Sequence, residues 1–225
     1  MQPLAVDIDG TLTDDDRALD PRVVEPLREW PAPVVVATGK ALPYPVGLCE
    51  FLGIPIRVIA ENGGAVYLAD DDELEFHGDR EAAQAVVERY EAAGHELGWG
   101  EVDFVNRWRE TEVAVSVDQP LQPLRDIAAS EGMHVFDTGY AYHVTAPDVD
   151  KSRGLRSVAR RLGYDPADFA AVGDSENDAG MFELAGTAYA VANADATART
   201  AADGVTEGSF ADGFLEAVER IRGGS

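Results

Sequence analysis

The sequence predicts an α/β fold in which a parallel-sheet core carries an inserted α+β domain. Three observations support this prediction. Strand-like and helix-like segments alternate over the first third of the 225 residues and again over the last third. Polar residues follow the strands directly, as they do where ligands bind at the carboxyl ends of parallel strands. The middle of the chain breaks the alternation, since it mixes helices with hairpin-like strands.

The first third begins with a short apolar strand and continues with β-branched runs separated by amphipathic segments. Proline near the start of each helix and Gly53 after the second one mark helix boundaries. We expect strands at 4–6, 33–37, 56–60 and 65–68, and helices at 21–30 and 43–52.

The middle segment reads as a separate small domain. We expect helices at 80–97 and 123–130, a strand at 113–117, and a hairpin formed by 134–136 and 141–145. The predicted inserted domain is therefore 79–149, and the predicted core is the discontinuous pair 1–78 and 150–225. In the second half of the core we expect strands at 169–172 and 187–191, and helices at 152–162, 181–185, 194–202 and 213–222.

The charge balance is strongly acidic, with 42 acidic residues against 18 basic ones and a net charge of −24. Such a surface repels nucleic acid and anionic membranes, so we expect neither as a partner. Partial disorder is the alternative, but an apolar content of 45% and clear periodicity argue against it. We interpret the acidity as adaptation to concentrated salt, which screens self-repulsion.

No apolar run is long enough to span a bilayer, and no secretory signal follows Met1, so we expect the cytoplasm. With Cys49 as the single cysteine, an intrachain disulfide and a cysteine metal cluster are both excluded. The basic residues include only two lysines, Lys40 and Lys151. Both lie at positions where an ammonium group could take part in chemistry.

The central chemical signal is the pair Asp7 and Asp9, separated by one residue at the end of the first strand. Buried carboxylates are unfavourable unless they are paired or bound to metal. Gly10 permits a sharp turn and a close approach of the backbone to a ligand. An isolated pair of this kind is usually only a polar turn, so the prediction of a site depends on motifs later in the chain.

Three further elements follow in order, the first and third after later strands and the second at the start of the resumed core. Thr38 supplies a hydroxyl, Lys151 a compact cation, and Asp174 and Asp178 supply the oxygen ligands that Mg²⁺ prefers. Because they occur together, and in this order, in segments of one predicted core, we expect them to form a single site.

Together these four motifs, Asp7-x-Asp9-Gly10-Thr11, Thr38-Gly39, Lys151 and Gly173-Asp174-x-x-Asn177-Asp178, resemble those of the haloacid dehalogenase-like hydrolases. The resemblance implies a Rossmann-like core with a cap domain inserted between the second and third motifs. Chain length, the small cap and Glu61-Asn62-Gly63 are most similar to archaeal phosphoglycolate phosphatases.

The resemblance also implies residue roles in a magnesium-dependent phosphatase. Asp7 would be the nucleophile that forms a phospho-aspartyl intermediate, and Asp9 the general acid and base. The substrate phosphate would be bound by Thr38, Gly39, Lys151 and Asn177. The Mg²⁺ ion would be held by Asp7, the backbone carbonyl of Asp9, Asp174 and Asp178.

The implied substrate is 2-phosphoglycolate, whose leaving group carries a carboxylate, so an arginine or hydroxyl in the cap is expected. Candidates in the cap are Asn106, Arg107, Arg109, Tyr140, Tyr142 and His143. Lys40 stands where many relatives have another residue, and a role in steering phosphate and a purely surface role both stay open.

Four other functions compete with this one. A sugar-phosphate or other small phosphomonoester phosphatase would use the same chemistry, and a phosphomutase is disfavoured because nothing points to retention of a phosphorylated product. A non-catalytic binding module would be expected to have lost Asp7, Asp9 or Lys151. A nucleotide-binding redox protein lacks support because no Gly-x-Gly-x-x-Gly follows the first strand. The sequence leaves monomer and homodimer open.

Overall fold

The structure is a computed structural model that describes residues 1–224. Its strands, in chain order, are β1 (Leu4–Val6), β2 (Val34–Ala37), β3 (Arg57–Ala60), β4 (Ala65–Leu68), β5 (Glu73–Phe76), β6 (Val113–Ser116), β7 (His134–Asp137), β8 (Ala141–Thr145), β9 (Ala170–Gly173), β10 (Thr187–Ala190) and β11 (Gly204–Val205). Its α-helices are α1 (Val24–Arg28), α2 (Pro43–Leu52), α3 (Arg80–Ala92), α4 (Leu121–Ser130), α5 (Lys151–Leu162), α6 (Ala179–Leu184), α7 (Ala196–Ala201) and α8 (Phe210–Gly223).

Eight strands form one sheet in the order β11-β10-β9-β1-β2-β3-β4-β5. All pairs from β11 to β3 are parallel, and only β4 and β5 join antiparallel. The predicted α/β class, with a parallel sheet as its centre, is confirmed. Because β1 lies between β2 and β9, the loops that follow these three strands emerge side by side at one edge of the sheet.

Both faces of this sheet are covered, which explains why its strands read as continuous apolar runs. In β1, Leu4 and Val6 belong to one hydrophobic layer and Ala5 to the other, and all three are fully buried. Burial of each large aliphatic side chain stabilises the fold by about 1.5–3 kcal/mol. The residues that follow β1 are therefore anchored to a fully buried central strand.

A second sheet has three antiparallel strands in the order β6-β8-β7. One face packs against α3 and α4 through a core that includes Val86, Tyr90, Leu124 and Val144. Alternation along β8 places His143 on the opposite face, away from this core. Since these elements lie between residues 80 and 145, we propose the boundaries 79 and 149 for the cap.

The structure differs from the predicted elements most clearly at two strands and two helices. The prediction did not include β5 or β11. Helix α3 ends at Ala92, five residues before the predicted end, because Gly94 adopts a left-handed φ of 92°. The predicted helix 21–30 begins as a 3₁₀ turn, Pro21–Val23, before α1. Within residues 1–224, none of the helices combines the length and the apolar character that crossing a bilayer demands.

Candidate active site

Asp7 stands directly at the carboxyl end of β1, where its backbone N–H still donates to the carbonyl of Val172 in β9, at 3.0 Å. The residue is only 4% exposed. Burial, and then the nearby carboxylates of Asp178 and Asp9, raise the pKa of Asp7 to about 7, while Lys151 opposes the shift. A carboxylate in this position needs a cationic partner to stay ionised.

Lys151 supplies that partner from the first residue of α5. Its side chain is fully buried, and Nζ donates to Oδ1 of Asp7 and to Oδ1 of Asp178, each at 2.6 Å. Burial alone would lower the pKa of this ammonium, but Asp178 and Asp7 together raise it. Lys151 is therefore charged and holds two of the sequence-predicted carboxylates in place.

Asp178 has both of its carboxylate oxygens committed. Oδ1 accepts from Lys151, and Oδ2 accepts from the backbone N–H groups of Asp174 and Ser175 at 3.0 and 3.1 Å. This arrangement fixes the loop that follows β9. It gives Asp178 a clear positioning function, whereas a direct contact with a metal stays a prediction.

Asp174 is the carboxylate that lacks a partner. Its Oδ1 is buried and accepts no hydrogen bond from residues 1–224. Burial first, and then Asp7 and Asp178, raise the pKa of Asp174 to about 9. Such a group is unfavourable as a free carboxylate and suits a ligand that brings positive charge.

A divalent cation fits this cluster. Asp7, Asp174 and Asp178 each offer an oxygen, and these oxygens lie within 4.8 Å of one another. The ammonium of Lys151 pairs with Asp7 and Asp178 and not with Asp174, so three ionised carboxylates would give the cluster an excess of negative charge. Carboxylate oxygens in such an arrangement are ligands for hard divalent cations.

Gly10 lets the loop after β1 approach Asp174 closely. Its φ is +81°, and a Cβ built at this position would lie 2.1 Å from Oδ2 of Asp174. Both the left-handed backbone and the close contact therefore require glycine. The first and fourth motifs meet at this point, as the sequence predicted for one shared site.

Asp9 lies two residues beyond Asp7 and is partly exposed. Its Oδ1 forms an ion pair with Nζ of Lys40 at 3.0 Å, and both side chains are about one-third exposed, at 32% and 30%. Lys40 also lies over the rings of Tyr140 and Tyr44, at 5.6 and 6.0 Å from their centroids. Lys40 thus faces the site and not the open surface.

A cavity opens between the core and the cap above these carboxylates. Its wall consists of Asp7, Asp9, Thr38, Gly39, Lys40, Arg109, Thr138, Tyr140, His143, Ser175 and Asn177. Five of the sequence-predicted site residues, Asp7, Asp9, Thr38, Gly39 and Asn177, therefore meet at one cavity. Asp174, Asp178 and Lys151 are not among the lining residues, and because Lys151 is fully buried against Asp7, its predicted contact with phosphate stays a prediction.

The six cap candidates divide into two groups. Arg109, Tyr140 and His143 line the cavity. Asn106 instead holds its own loop through Asp103 and the backbone of Ala114, the Tyr142 hydroxyl donates to the carbonyl of Val117, and Arg107 is exposed.

Two of the cavity-facing cap residues, Arg109 and His143, are oriented by Glu112, a buried carboxylate that sequence reasoning missed. Its Oε1 contacts Arg109 and lies 2.8 Å from Nδ1 of His143, and its Oε2 accepts from Asn62 at 2.8 Å. Burial alone would raise the pKa of Glu112, but His143 and Arg109 lower it overall. Arg109 also donates to the carbonyl of Gly39 at 2.8 Å.

Asn62 extends this network into the fourth motif. Its Oδ1 accepts from Asn177 at 2.8 Å, and Oδ1 of Asn177 accepts from Ser175 at 2.8 Å. Asn62 adopts a left-handed conformation, which asparagine tolerates better than most residues. The turn signal at 61–64 marked this loop, but no local pattern links Asn62 to a glutamate 50 residues away.

Glu61 joins the core to the cap beside this network. Its fully buried carboxylate accepts from the backbone N–H groups of Glu110 and Thr111 and from the Thr111 hydroxyl, at 2.7–3.0 Å. Burial is the main reason why the pKa of Glu61 is raised. The contact secures the segment that carries Arg109 and Glu112.

We expect Glu61→Ala to lower the free energy of unfolding by about 2–4 kcal/mol, because two buried donors and one partly buried donor lose their acceptor. Urea denaturation at constant high salt measures this change. The matched control is Glu110→Ala, whose exposed side chain makes none of these contacts, and which should change stability by less than about 0.5 kcal/mol. Equal stability of the two variants would contradict the structural role of Glu61.

Comparisons with known proteins agree with this arrangement. A family model described as haloacid dehalogenase-like hydrolase matches residues 4–105 and 115–218. A protein of Natronomonas pharaonis named phosphoglycolate phosphatase is 64% identical over 98% of this chain and 97% of its own length. A protein of the same name from Haloarcula marismortui is 62% identical over the same shares. A crystal structure of a Thermoplasma acidophilum protein superposes with a TM-score of 0.87 at 25% identity, covering 99% of this chain and 98% of that one.

Proposed function

Because the chain belongs to the haloacid dehalogenase-like hydrolase family, we propose that it hydrolyses 2-phosphoglycolate to glycolate and phosphate through a phospho-aspartyl intermediate on Asp7. The observation that carries this proposal is the position of Asp7, which lines the cavity while buried Lys151 holds its Oδ1 at 2.6 Å. The archaeal relatives named phosphoglycolate phosphatase support the choice of substrate.

In the first step, a carboxylate oxygen of Asp7 attacks phosphorus, and the bond between phosphorus and the ester oxygen breaks. Lys151 already occupies Oδ1 of Asp7, which leaves Oδ2 as the attacking oxygen. Asp9 donates a proton to the departing oxygen, so the former ester oxygen leaves as the hydroxyl group of glycolate and not as an alkoxide. Thr38 and Gly39, which line the cavity, would hold the non-bridging phosphate oxygens.

In the second step, water attacks the phosphorus of phospho-Asp7. Asp9, now ionised, takes the proton of the water, and inorganic phosphate leaves while the Asp7 carboxylate is restored. Asp9 thereby ends the cycle in its starting protonation state. The ammonium of Lys151 stays paired with Asp178 throughout, so the buried site keeps a fixed positive charge.

We propose Mg²⁺ as the divalent cation, held by Asp7, Asp174 and the backbone carbonyl of Asp9, with Asp178 as a further ligand directly or through water. When bound, it would neutralise the charge that builds up when one anion attacks another. The unpartnered Oδ1 of Asp174 supports this assignment.

We further propose that the protein works in the cytoplasm of a salt-accumulating cell, as a monomer or a homodimer, on a small phosphorylated metabolite. The net charge of −24 and the relatives from Natronomonas and Haloarcula support the adaptation to salt.

A phosphate-release assay at high salt, over a panel of small phosphomonoesters, tests the proposal. We expect the highest kcat/KM for 2-phosphoglycolate, and at least about a tenfold lower value for hexose phosphates, which lack the carboxylate. Chelation with EDTA should abolish turnover, and added Mg²⁺ should restore it. A preference for sugar phosphates would favour the alternative of a sugar-phosphate phosphatase, and full activity in EDTA would reject the metal assignment.

A further inference from the structure

Lys40 lines the cavity, and the proposed reaction gives it no role. It follows the second motif, yet its ammonium lies inside the cavity and contacts Oδ1 of Asp9 at 3.0 Å. Asp9 is the group placed to protonate the leaving oxygen. The leaving group must therefore lie on the side of the cavity where Asp9 and Lys40 are found.

Two other cations near the carboxylates of the site, Lys151 and Arg109, are already neutralised by buried partners. Lys151 is shared by Asp7 and Asp178, and Arg109 contacts Glu112 and donates to two backbone carbonyls. An ammonium has three N–H donors, and among residues 1–224 Asp9 is the acceptor paired with Nζ of Lys40. Lys40 thus has donors left for an incoming anion.

The geometry of 2-phosphoglycolate brings a carboxylate close to these remaining N–H donors of Lys40. In 2-phosphoglycolate the carboxyl carbon is two covalent bonds from the ester oxygen, so an ester oxygen at Asp9 brings the carboxylate next to that residue. An ammonium that contacts Asp9 at 3.0 Å lies within hydrogen-bonding reach of the same region. The partial exposure of Lys40, at 30%, also leaves the side chain free to adjust.

We propose that Lys40 is a specificity-determining residue that binds the carboxylate of the leaving group and selects 2-phosphoglycolate over phosphomonoesters with neutral leaving groups. This inference rests on the proposed function. The loop of the second motif would then contact the leaving group through Lys40, as well as the phosphate through Thr38 and Gly39.

The test compares 2-phosphoglycolate with 2-hydroxyethyl phosphate, which has the same length but carries a neutral alcohol in place of the carboxylate. In Lys40→Met, we expect the ratio of the two kcat/KM values to fall about 10- to 100-fold, the usual effect of losing a charge-assisted hydrogen bond. Because both substrates are measured on the same preparation, partial unfolding of the variant cancels from the ratio.

Two variants control for charge. Lys40→Arg keeps the positive charge and should retain most of the preference. Arg89→Gln removes one positive charge from the exposed face of the cap, where Arg89 pairs with Glu131, and should leave the ratio unchanged. The assays should be run at about 1 M salt or above, where a Debye length near 3 Å suppresses long-range electrostatic steering of the substrate.

The outcomes separate this inference from the proposed function. If wild-type protein shows no preference for 2-phosphoglycolate, the proposed substrate is wrong. If wild type prefers it and Lys40→Met keeps that preference within about threefold, the role of Lys40 is overturned while the proposed function stands. An equally large loss in Lys40→Arg would also contradict recognition by charge.

Discussion

Asp7→Asn should reduce kcat by at least about 10⁴-fold, because an amide oxygen is a far weaker nucleophile than a carboxylate and removal of a nucleophile commonly costs this much. The fold should survive. Asparagine keeps the size of the side chain and still offers an oxygen to Lys151, which also retains Asp178. We therefore expect the free energy of unfolding to change by no more than about 1 kcal/mol.

Steady-state phosphate release, with urea denaturation on the same preparation, measures both quantities. Asp20→Asn is a matched control, since it makes the same chemical change in a residue that pairs with Arg22 outside the cavity. It should leave kcat within about twofold of wild type. An Asp7→Asn protein that unfolds as wild type does, yet turns over at a comparable rate, would remove Asp7 from the chemistry.

Lys151→Met should impair both activity and stability. The substitution leaves Asp7 and Asp178 buried without their ammonium, and breaking a buried ion pair in this way costs about 3–5 kcal/mol. Without the ammonium, the negative charge of the cluster also opposes the approach of a phosphate dianion. We expect kcat/KM to fall by at least about 10³-fold when it is measured on the folded fraction.

A double-mutant cycle identifies the cause of the lost stability. If the loss comes from uncompensated charge, Lys151→Met combined with Asp178→Asn should be more stable than Lys151→Met alone by at least about 1 kcal/mol. Urea denaturation in metal-free, high-salt buffer measures all four proteins of the cycle. Additive losses, with the double variant less stable than either single one, would show that the side chains contribute through packing alone.

The core of the fold was predictable because its signals are local. Buried parallel strands read as apolar runs, and the polar residues after β1, β2 and β9 meet because these strands are neighbours. Helix α2 was predicted with its observed bounds, since proline begins it and Gly53, with a φ of 70°, ends it. The same rule applied to Gly94 would have ended α3 correctly.

Other features depend on distant parts of the chain and had no local signal. Strand β5 lies at the edge of the sheet and three of its four residues are exposed, so no buried apolar run marks it in the sequence. The position of Glu112 depends on Asn62 and His143, which are 50 and 31 residues away. The ion pair of Lys40 with Asp9 likewise joins two loops that only the folded sheet brings together.

The central claim is that phosphoryl transfer passes through Asp7, and trapping the intermediate tests it most directly. In Asp9→Asn, p-nitrophenyl phosphate should still phosphorylate the enzyme, because p-nitrophenolate leaves without a proton, while water attack is slowed. Rapid acid quench followed by peptide mass spectrometry should find one phosphoryl group on Asp7, together with a stoichiometric burst of p-nitrophenolate. Steady turnover of this variant without a burst, or a phosphoryl group on any other residue, would contradict the mechanism.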